Sequence, residues 1–594
     1  MCFNKEFGSL CNLNRDIKKV DSIPTDMIVA GKNTYVYDAH TYHTKVPPEG
    51  IEILIKHFTN EQDVVLDPFC GSGMTGVAAQ RLNRKVLLSD ISPAATFIAK
   101  QINTLVDADE YMAAINKILE KSSVLNKKLY TTTCRECGKE TQILYTVWSY
   151  RLVCDQCNKD FLLWDVARKE GKTSRESKIL TEFNCPHCGN FLKKRKLKRL
   201  SLEPVAIGYK CCTKSLKEKC CSLIDSDMKK IGEITYKNIP ASLWYPQNEF
   251  YEGVNTRQPL LYGITSVDKA YFPRALWAFS YLWDEASRWE PKAVREKLIF
   301  TLTSLYQRIT KFSEFRFWGG SGNIANYNVP QIINEQNVFL TFERKAKTIY
   351  LYLKNEHKFD SQNVQISTQS ACRLSQLKDN SIDYVFTDPP FGSNINYSEM
   401  NYLWESWLKT YTDIKEEAII NKFQGKDKFA YGELMTQAWK EIYRVLKKDA
   451  WLTILFHNSS SAIWDELQKS IYNAGFCING SMLFDKKHGT FKQFVSHNAV
   501  GFDLAICCQK KVPSSNLSVC LFDDTEKLIK NFVITQLHKN GYSSYVTHYE
   551  HVQRNDEINY RKLYSEWISS ILDKSLVSID FCQFKAIAQS TISK

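Results

Sequence analysis

The 594-residue sequence has no run of 18 apolar residues, which excludes the ordinary membrane-spanning helix. Its first ten residues, MCFNKEFGSL, hold no apolar core followed by a small-residue cleavage site. A secretory leader is therefore not expected, and a cytoplasmic location is. No internal repeat and no low-complexity tract is present, and no long stretch is depleted of apolar residues, which sets aside solenoid and disordered classes. An acidic balance is missing too. The 78 Lys and Arg against 65 Asp and Glu leave a formal charge of +13, a modest excess that fits a polyanionic partner without requiring one. The length exceeds what one core fills, so two or three domains are expected.

Cysteine, by contrast, is plentiful. Ten of the 19 cysteines fall between Cys134 and Cys221. In a reducing compartment such clusters read as metal ligands rather than disulfides. Cys134 and Cys137, then Cys154 and Cys157, form a C-x2-C-x16-C-x2-C spacing that predicts one four-thiolate zinc ribbon. Four thiolates leave no open coordination position, so the Zn2+ is expected to be structural. A second knuckle, Cys185-Pro186-His187-Cys188-Gly189, needs two further ligands. Cys211 or Cys212 with Cys220 or Cys221 are the candidates, and Cys211 with Cys220 are chosen here. The run Lys193, Lys194, Arg195, Lys196, Lys198 and Arg199 beside this knuckle reads equally as a solvated face or as phosphate contacts.

On either side of this module, short apolar runs alternate with helical patterns. Val64–Leu66 and Val86–Leu88 read as strands that end at Asp67 and Asp90, with a helix over 74–82 between them. Further strands are expected at 364–367, 382–387, 451–456, 478–484 and 500–507. Neither set makes a full sheet alone. The fold expected is therefore α/β, one doubly wound, Rossmann-like sheet assembled from residues 30–105 and 362–511. The long insertion holds a zinc-ribbon module at 130–225 and a mainly helical, aromatic and basic region at 226–361, and a helical tail covers 512–594.

VVLDPFCGSGMTGVAA places an acid at a strand end, then a glycine turn, then a helix. Gly71 and Gly73 allow a tight turn and a close ligand approach. The helix N-terminus favours a negative group. Asp67 is expected to accept hydrogen bonds from a ligand ammonium group, directly or through water. Asp90 is expected to bind ribose hydroxyls from the next strand end. A short glycine pattern alone is weak, and any α/β protein can carry one. The whole string is more specific: DPFCGSG resembles the cofactor motif of amino-group DNA methyltransferases, DPFxGSG. The resemblance implies S-adenosylmethionine as cofactor, held by Lys45, Asp67, Pro68, Phe69, Gly71, Gly73, Asp90 and Ile91. Lys45 lies in the segment from Tyr42 to Glu49, which resembles, more loosely, the stretch those enzymes lay over the methionine end.

A second motif, Asp388-Pro389-Pro390-Phe391, follows the strand at 382–387 directly. It resembles the catalytic tetrapeptide of the same family, in which Asp at the first position goes with adenine N6 more often than with cytosine N4. An exocyclic amine is a poor nucleophile because its lone pair is delocalised into the ring. Asp388 and the Pro389 carbonyl are expected to accept one N–H each and aim that lone pair at the sulfonium methyl, a matter of positioning and electrostatics. Pro390 fixes the turn, and Phe391 is expected to stack on a base flipped out of the duplex. One departure stands out: Thr368-Gln369-Ser370 has Ser370 where the family often has an acid.

The expected activity is methylation of adenine N6 in double-stranded DNA, with cytosine N4 methylation or a non-catalytic DNA-binding subunit as alternatives. Regions 130–225 and 226–361 are expected to read the target, in part through the glycine-rich loop between Phe315 and Tyr327. Trp277, Tyr281 and Asp284, at helical spacing, are expected in the core. No nuclease cluster is legible in the tail, so any restriction or defence activity is expected in a separate partner protein.

Overall fold

The four residues Val64–Asp67 are all buried, and so are the six of Ile382–Thr387. Unbroken apolar runs of this kind suit parallel strands covered on both faces. The computed structural model describes all residues except 1–6, 12–14, 33, 175, 212–217, 318–326, 357–358, 487–501, 512–524, 542–544, 548–556, 574–578 and 593–594.

The first pass of the chain gives β1 (Ile28–Val29), α1 (Pro48–Phe58), β2 (Val64–Asp67), α2 (Met74–Arg81), β3 (Lys85–Asp90), α3 (Pro93–Asn103) and α4 (Ala108–Lys121). A long excursion follows. It holds β4 (Glu140–Val153), β5 (Lys198–Lys210), β6 (Glu218–Ser222), α5 (Pro273–Ser287), α6 (Lys292–Thr303), β7 (Ile332–Gln336) and α7 (Val338–Asn355). The chain then returns through β8 (Val364–Thr368), β9 (Ile382–Thr387), α8 (Tyr397–Leu408), α9 (Lys428–Val445), β10 (Leu446–Phe456), α10 (Ser461–Asn473), β11 (Cys477–Asp485) and β12 (Asp503–Gln509). Helices α11 (Thr525–Asn540), α12 (Tyr560–Ile571) and α13 (Phe581–Ile592) close it.

Eight strands make one sheet in the order β1-β11-β12-β10-β9-β2-β3-β8, so the fold is α/β. Strands β10, β9, β2, β3 and β8 pair in parallel, and β12 runs antiparallel between β10 and β11. From β2 the chain winds one way to β3 and β8, then crosses to β9 and β10 on the other side. The switch point lies between β2 and β9, where open α/β sheets leave a crevice at the carboxyl ends of their strands. The last strand, expected at 500–507, runs Asp503–Gln509; residues 500 and 501 lie outside the described residues.

The excursion has its own sheet, in the order β6-β5-β4-β7, with short strands Thr131–Thr133 and Asp160–Leu162 also on β4. Strand β7 pairs with β4 from Ile332↔Ser149 to Gln336↔Tyr145. A boundary at 225/226 therefore cuts through a sheet: β4 is 14 residues long, and its free edge takes its partner from the later segment. Trp277 is buried on α5, whereas Tyr281 and Asp284 on the same helix are only half-buried, because the Tyr281 hydroxyl donates to the Lys121 carbonyl and Asp284 pairs with Arg288 at the surface. Most of the glycine-rich loop after Phe315 lies outside the described residues; its flanks Phe315 and Tyr327 are buried. The C-terminal helices bury Leu563, Tyr564, Trp567, Phe581 and Phe584 in the same core as α10 and β12. The tail thus continues the first sheet's core. Among the described residues, no helix is long and apolar enough to cross a membrane.

A buried ion pair joins the second sheet to its helices. Arg274 on α5 donates to both carboxylate oxygens of Glu335 on β7, at 3.0 and 2.7 Å. Trp148 Nε1 donates to the same carboxylate at 2.7 Å, and Arg274 also donates to Thr146 Oγ1. Removing one partner leaves an uncompensated buried charge. Arg274→Ala is expected to destabilise the protein by about 3–5 kcal/mol in urea unfolding. Joint replacement, Arg274→Met with Glu335→Leu, is expected to recover most of that loss. A single-variant effect below about 1 kcal/mol would show that the pair does not secure this packing.

Candidate active site

The turn after β2 is built on two left-handed glycines, Gly71 (φ +48°) and Gly73 (φ +80°). A Cβ on Gly71 would sit 3.0 Å from Tyr42 Cε1. One on Gly73 would sit 2.8 Å from Ala99 Cβ and 2.9 Å from its Cα, so helix α3 packs directly onto the turn. Gly71 N–H donates to Asp90 Oδ2 (3.0 Å) and Ser92 N–H to Asp90 Oδ1 (2.9 Å). Asp90 therefore ties the glycine turn to the end of β3. Burial raises its carboxyl to about 6 in spite of these donors.

These segments border a cavity of about 670 Å³, part of it open to solvent. Of the residues singled out in the sequence, Pro68, Phe69, Gly71, Asp90, Ile91, Asp388 and Pro390 line it. Lys45, Asp67, Gly73, Pro389 and Phe391 do not, and each has a physical reason or a neighbouring substitute. The Lys45 ammonium turns inward, donating to the carbonyls of Tyr37 and His40 and lying 3.8 Å over the Tyr37 ring. Its neighbours Tyr42 and Thr44 face the cavity instead. Asp67 is occupied by protein donors: Thr75 Oγ1 at 2.5 Å, Thr387 Oγ1 at 2.9 Å and Phe69 N–H at 3.2 Å. Instead of accepting from a ligand, it holds β2, the glycine turn and β9 together. Gly73 is covered by α3, and Pro389 is buried in the turn.

Phe391 is 4% exposed, packed edge-on against Phe456 and 4.4 Å from the His457 ring. It supports the Asp388–Phe391 turn from behind and offers no open stacking face. Asn458 donates to the Phe391 carbonyl (3.1 Å) and Tyr431 OH to the Pro390 carbonyl (2.9 Å), which fixes the turn. Asp388 faces the cavity, and its Oδ1 is buried without a hydrogen-bond partner. Burial raises its carboxyl to about 6, with Lys486 and His457 opposing and Asp503 assisting. Lys486 lies 2.5 Å and His457 2.9 Å from the Asp503 carboxylate.

Several further residues line the cavity beyond those expected to hold the ligand. Tyr397, on α8, meets Thr44 through its hydroxyl at 3.3 Å. Ser370, Ala371 and Cys372 follow β8, and Thr412, Glu416, Glu417 and Ala418 come from the loop between α8 and α9. Only tertiary packing brings that loop to the glycine turn.

Two cysteine clusters lie in the excursion, grouped differently from the expected pairing. Cys154, Cys157, Cys185 and Cys188 form one, and Cys134, Cys137 and Cys211 the other, each with sulfurs within 4.8 Å of one another. The 16 residues between Cys137 and Cys154 hold strand β4, which at about 3.3 Å per residue keeps the two knuckles roughly 45 Å apart. Strand β5 runs antiparallel to β4, from Lys198↔Val153 to Tyr209↔Ile143. The knuckle before β5 therefore meets Cys154 and Cys157, and Cys211 after β5 meets Cys134 and Cys137. Cys220 is excluded by the pleat. It pairs with Gly208 and shares a face with Tyr145, whereas Cys221 lies opposite Ile207 with its sulfur 3.8 Å from Tyr209 OH. That hydroxyl accepts the N–H of Arg135, between Cys134 and Cys137. Cys212 lies outside the described residues. The His187 ring contacts the Asp160 carbonyl rather than joining the cluster as a ligand, while its backbone N–H donates to Cys185 Sγ at 3.4 Å.

The segment that carries the glycine turn has known counterparts. Residues 14–101 match the N6/N4 methyltransferase family model, described as DNA methylase. The Type II methyltransferase M.MjaII of Methanocaldococcus jannaschii is 27% identical over 123 residues, 17% of this chain and 23% of its own length. M2.LlaDCHI of Lactococcus lactis subsp. cremoris is 43% identical over 63 residues, 11% and 23% of the two lengths. M.BglII, from Bacillus subtilis, is 29% identical over 113 residues, 18% and 31%. The chain spans under a third of the length of these relatives. Among solved structures, a SAM-dependent methyltransferase from Methanosarcina mazei aligns with 29% of this chain and 77% of its own, at 12% identity and TM-score 0.16, too partial an overlap to bear on the argument.

Gly73→Ala tests the turn. It combines a left-handed backbone, costing about 1–2 kcal/mol, with overlap against α3, costing about 1–3 more. Gly263, at φ +76° with nothing near its would-be Cβ, carries only the first cost. Urea unfolding is expected to rank Gly73→Ala well below Gly263→Ala. Equal losses would show that α3 does not clamp the turn.

Proposed function

Since the chain belongs to the amino-group (N6/N4) DNA methyltransferase family, we propose that it transfers the methyl group of S-adenosylmethionine to N6 of adenine in duplex DNA. The observation that carries this reading is the Asp388 carboxylate. Its Oδ1 is buried and unpartnered, on the wall of the cavity that also holds Gly71 and Asp90. A buried acceptor with no donor costs about 1–3 kcal/mol, more when charged, unless a ligand supplies one. An amine hydrogen is such a donor.

The cavity fits the cofactor by chemistry. Its acids, Asp90, Asp388, Glu416 and Glu417, favour a cationic ligand, and Gly71 leaves the backbone open to close approach. When bound, S-adenosylmethionine supplies an electrophilic methyl on a positively charged sulfur. The protein's part is positional. Asp388 accepts one amine N–H, which restores lone-pair density on the nitrogen and orients it. Tyr431 and Asn458 hold the Asp388–Phe391 turn rigid while this happens. Asp90, fixed by two backbone donors, presents a carboxylate to ribose hydroxyls. Adenine is preferred to cytosine because the motif begins with Asp. Duplex DNA is the substrate that suits the exposed Lys193, Arg195, Lys196 and Lys198 on the excursion. Arg199 is not among the phosphate contacts: it donates to the Val329 carbonyl and stacks 3.9 Å from the Tyr262 ring centre.

Incubation with labelled S-adenosylmethionine and unmethylated duplex DNA, followed by nucleoside analysis, is expected to yield N6-methyladenine. Asp388→Ala is expected to lower the rate on the order of 10²–10³-fold. N4-methylcytosine would reverse the base, and cofactor binding with no transfer to DNA would overturn the activity.

The pH profile has a defined sign. Asp388 must be ionised to accept, and burial raises its carboxyl to about 6. The rate is therefore expected to be level above that pH and to fall tenfold per unit below it. A rate flat down to pH 5 would exclude Asp388 as the acceptor.

The reading extends to structural zinc. In the Cys154, Cys157, Cys185 and Cys188 cluster, two sulfur pairs lie 3.8 Å apart. A tetrahedral ion with Zn–S near 2.3 Å has an edge of about 3.8 Å, so the donor set fits. Native mass spectrometry is expected to show Cys154→Ser and Cys185→Ser each losing the same ion, with Cys134→Ser losing another. Loss of one shared ion from Cys134→Ser and Cys154→Ser would restore the single-ribbon pairing.

A further inference from the structure

We propose that Glu416 recognises the nucleobase of the cofactor by accepting a hydrogen bond from its 6-amino group, an inference that rests on the reading of the cavity as the S-adenosylmethionine site. The strand order fixes the direction of the ligand. Asp388 follows β9, Asp90 ends β3, and Ser370 follows β8, in the order β9-β2-β3-β8. At about 4.8 Å per strand, the two ends of that row lie roughly 14 Å apart. With the reactive methyl at Asp388 and ribose at Asp90, the base lies beside β8.

That wall lacks the carboxylate often found at the end of this strand in the family, because Ser370 stands there. Its polar groups are already engaged: Ser370 Oγ accepts Cys372 N–H (3.2 Å), and the Cys372 thiol donates to the Leu434 carbonyl (3.3 Å). The loop between α8 and α9 brings the replacement. Glu417 is saturated by Ser398 N–H, Ser398 Oγ and Gln424 Nε2. Thr412 donates to Glu405. Glu416 is different. Its Oε1 pairs with Arg373 at 2.7 Å, which fixes it against the segment after β8, while its Oε2 is buried and unpartnered. Among the described lining residues, Glu416 Oε2 and Asp388 Oδ1 are the two buried side-chain oxygens left without a donor. One serves the amine to be methylated at one end, and the other meets the sole exocyclic N–H donor of adenine at the far end.

The test uses the full chain and two product-like ligands, S-adenosylhomocysteine and its purine analogue lacking the 6-amino group, with Kd from calorimetry. The wild-type protein is expected to prefer the adenine ligand on the order of ten- to a hundredfold, the range of a hydrogen bond to a charged group. Glu416→Ala is expected to abolish most of that preference and leave the deaminated ligand bound as before, which also shows that the variant is folded. Glu416→Gln, which keeps an acceptor, is expected to retain part of it. An unchanged preference in Glu416→Ala, or equal weakening of both ligands, would overturn the assignment. A wild-type protein that binds neither ligand would instead overturn the underlying reading of the cavity.

Discussion

Helix α8 is the element on which the rest of the molecule depends. It follows the Asp388 turn and is buried along most of its length, including two carboxylates, Glu399 (0% exposed) and Glu405 (1%). Buried acidic groups of this kind persist only when their oxygens are engaged. Glu399 accepts the N–H groups of Val254 and Asn255 and the amide of Asn421. Glu405 accepts from Ser92 Oγ and from Thr412. Trp404 donates to the Thr303 carbonyl, Trp407 to Tyr271 OH, and Tyr327 OH to the Met400 carbonyl. The helix therefore bonds at once to the turn after β3, to the excursion and to the loop that carries Glu416. A shift of the excursion cannot leave the cavity unchanged without breaking one of these contacts.

The cavity itself is held in a state that favours a positive ligand. Asp90 and Asp388 are raised to about 6 and Asp67 to about 7, in each case chiefly by burial. Asp67 relieves the strain on itself through three protein donors. Asp388 does not, so the desolvation of its free oxygen is left for a ligand to offset. Nearby, Lys486 and His457 hold Asp503 well below the usual carboxylate range, and Lys486 also draws Asp388 toward its ionised form. One wall is thus neutralised internally, and the wall facing the turn keeps its demand for a donor.

Much of this was legible in the sequence where the physics is local. Val64–Asp67 and Ile382–Thr387 are strands because unbroken apolar runs need cover on two faces. Gly71 and Gly73 occupy backbone conformations that other residues reach only with strain. Asp90 and Asp388 sit at strand ends, and strand ends in such sheets converge on the crevice. Orientation was a different matter. A motif places Phe391 and Lys45 in the right loop, but their side chains turn according to the neighbours available: Phe456 and His457 for one, the Tyr37 and His40 carbonyls for the other.

The sequence by itself determined the α/β class, the two motif loops, the strand-end acids and the presence of cysteine knuckles, because each depends on residues within a few positions of one another. The tertiary structure alone decided which knuckles meet, since an intervening 14-residue strand is too long and stiff for adjacent pairs to close on each other. It alone placed Glu416, separated from Gly71 by hundreds of residues, at the same cavity. Pairings across such distances follow from the order in which strands and helices pack, and no local spacing encodes that order.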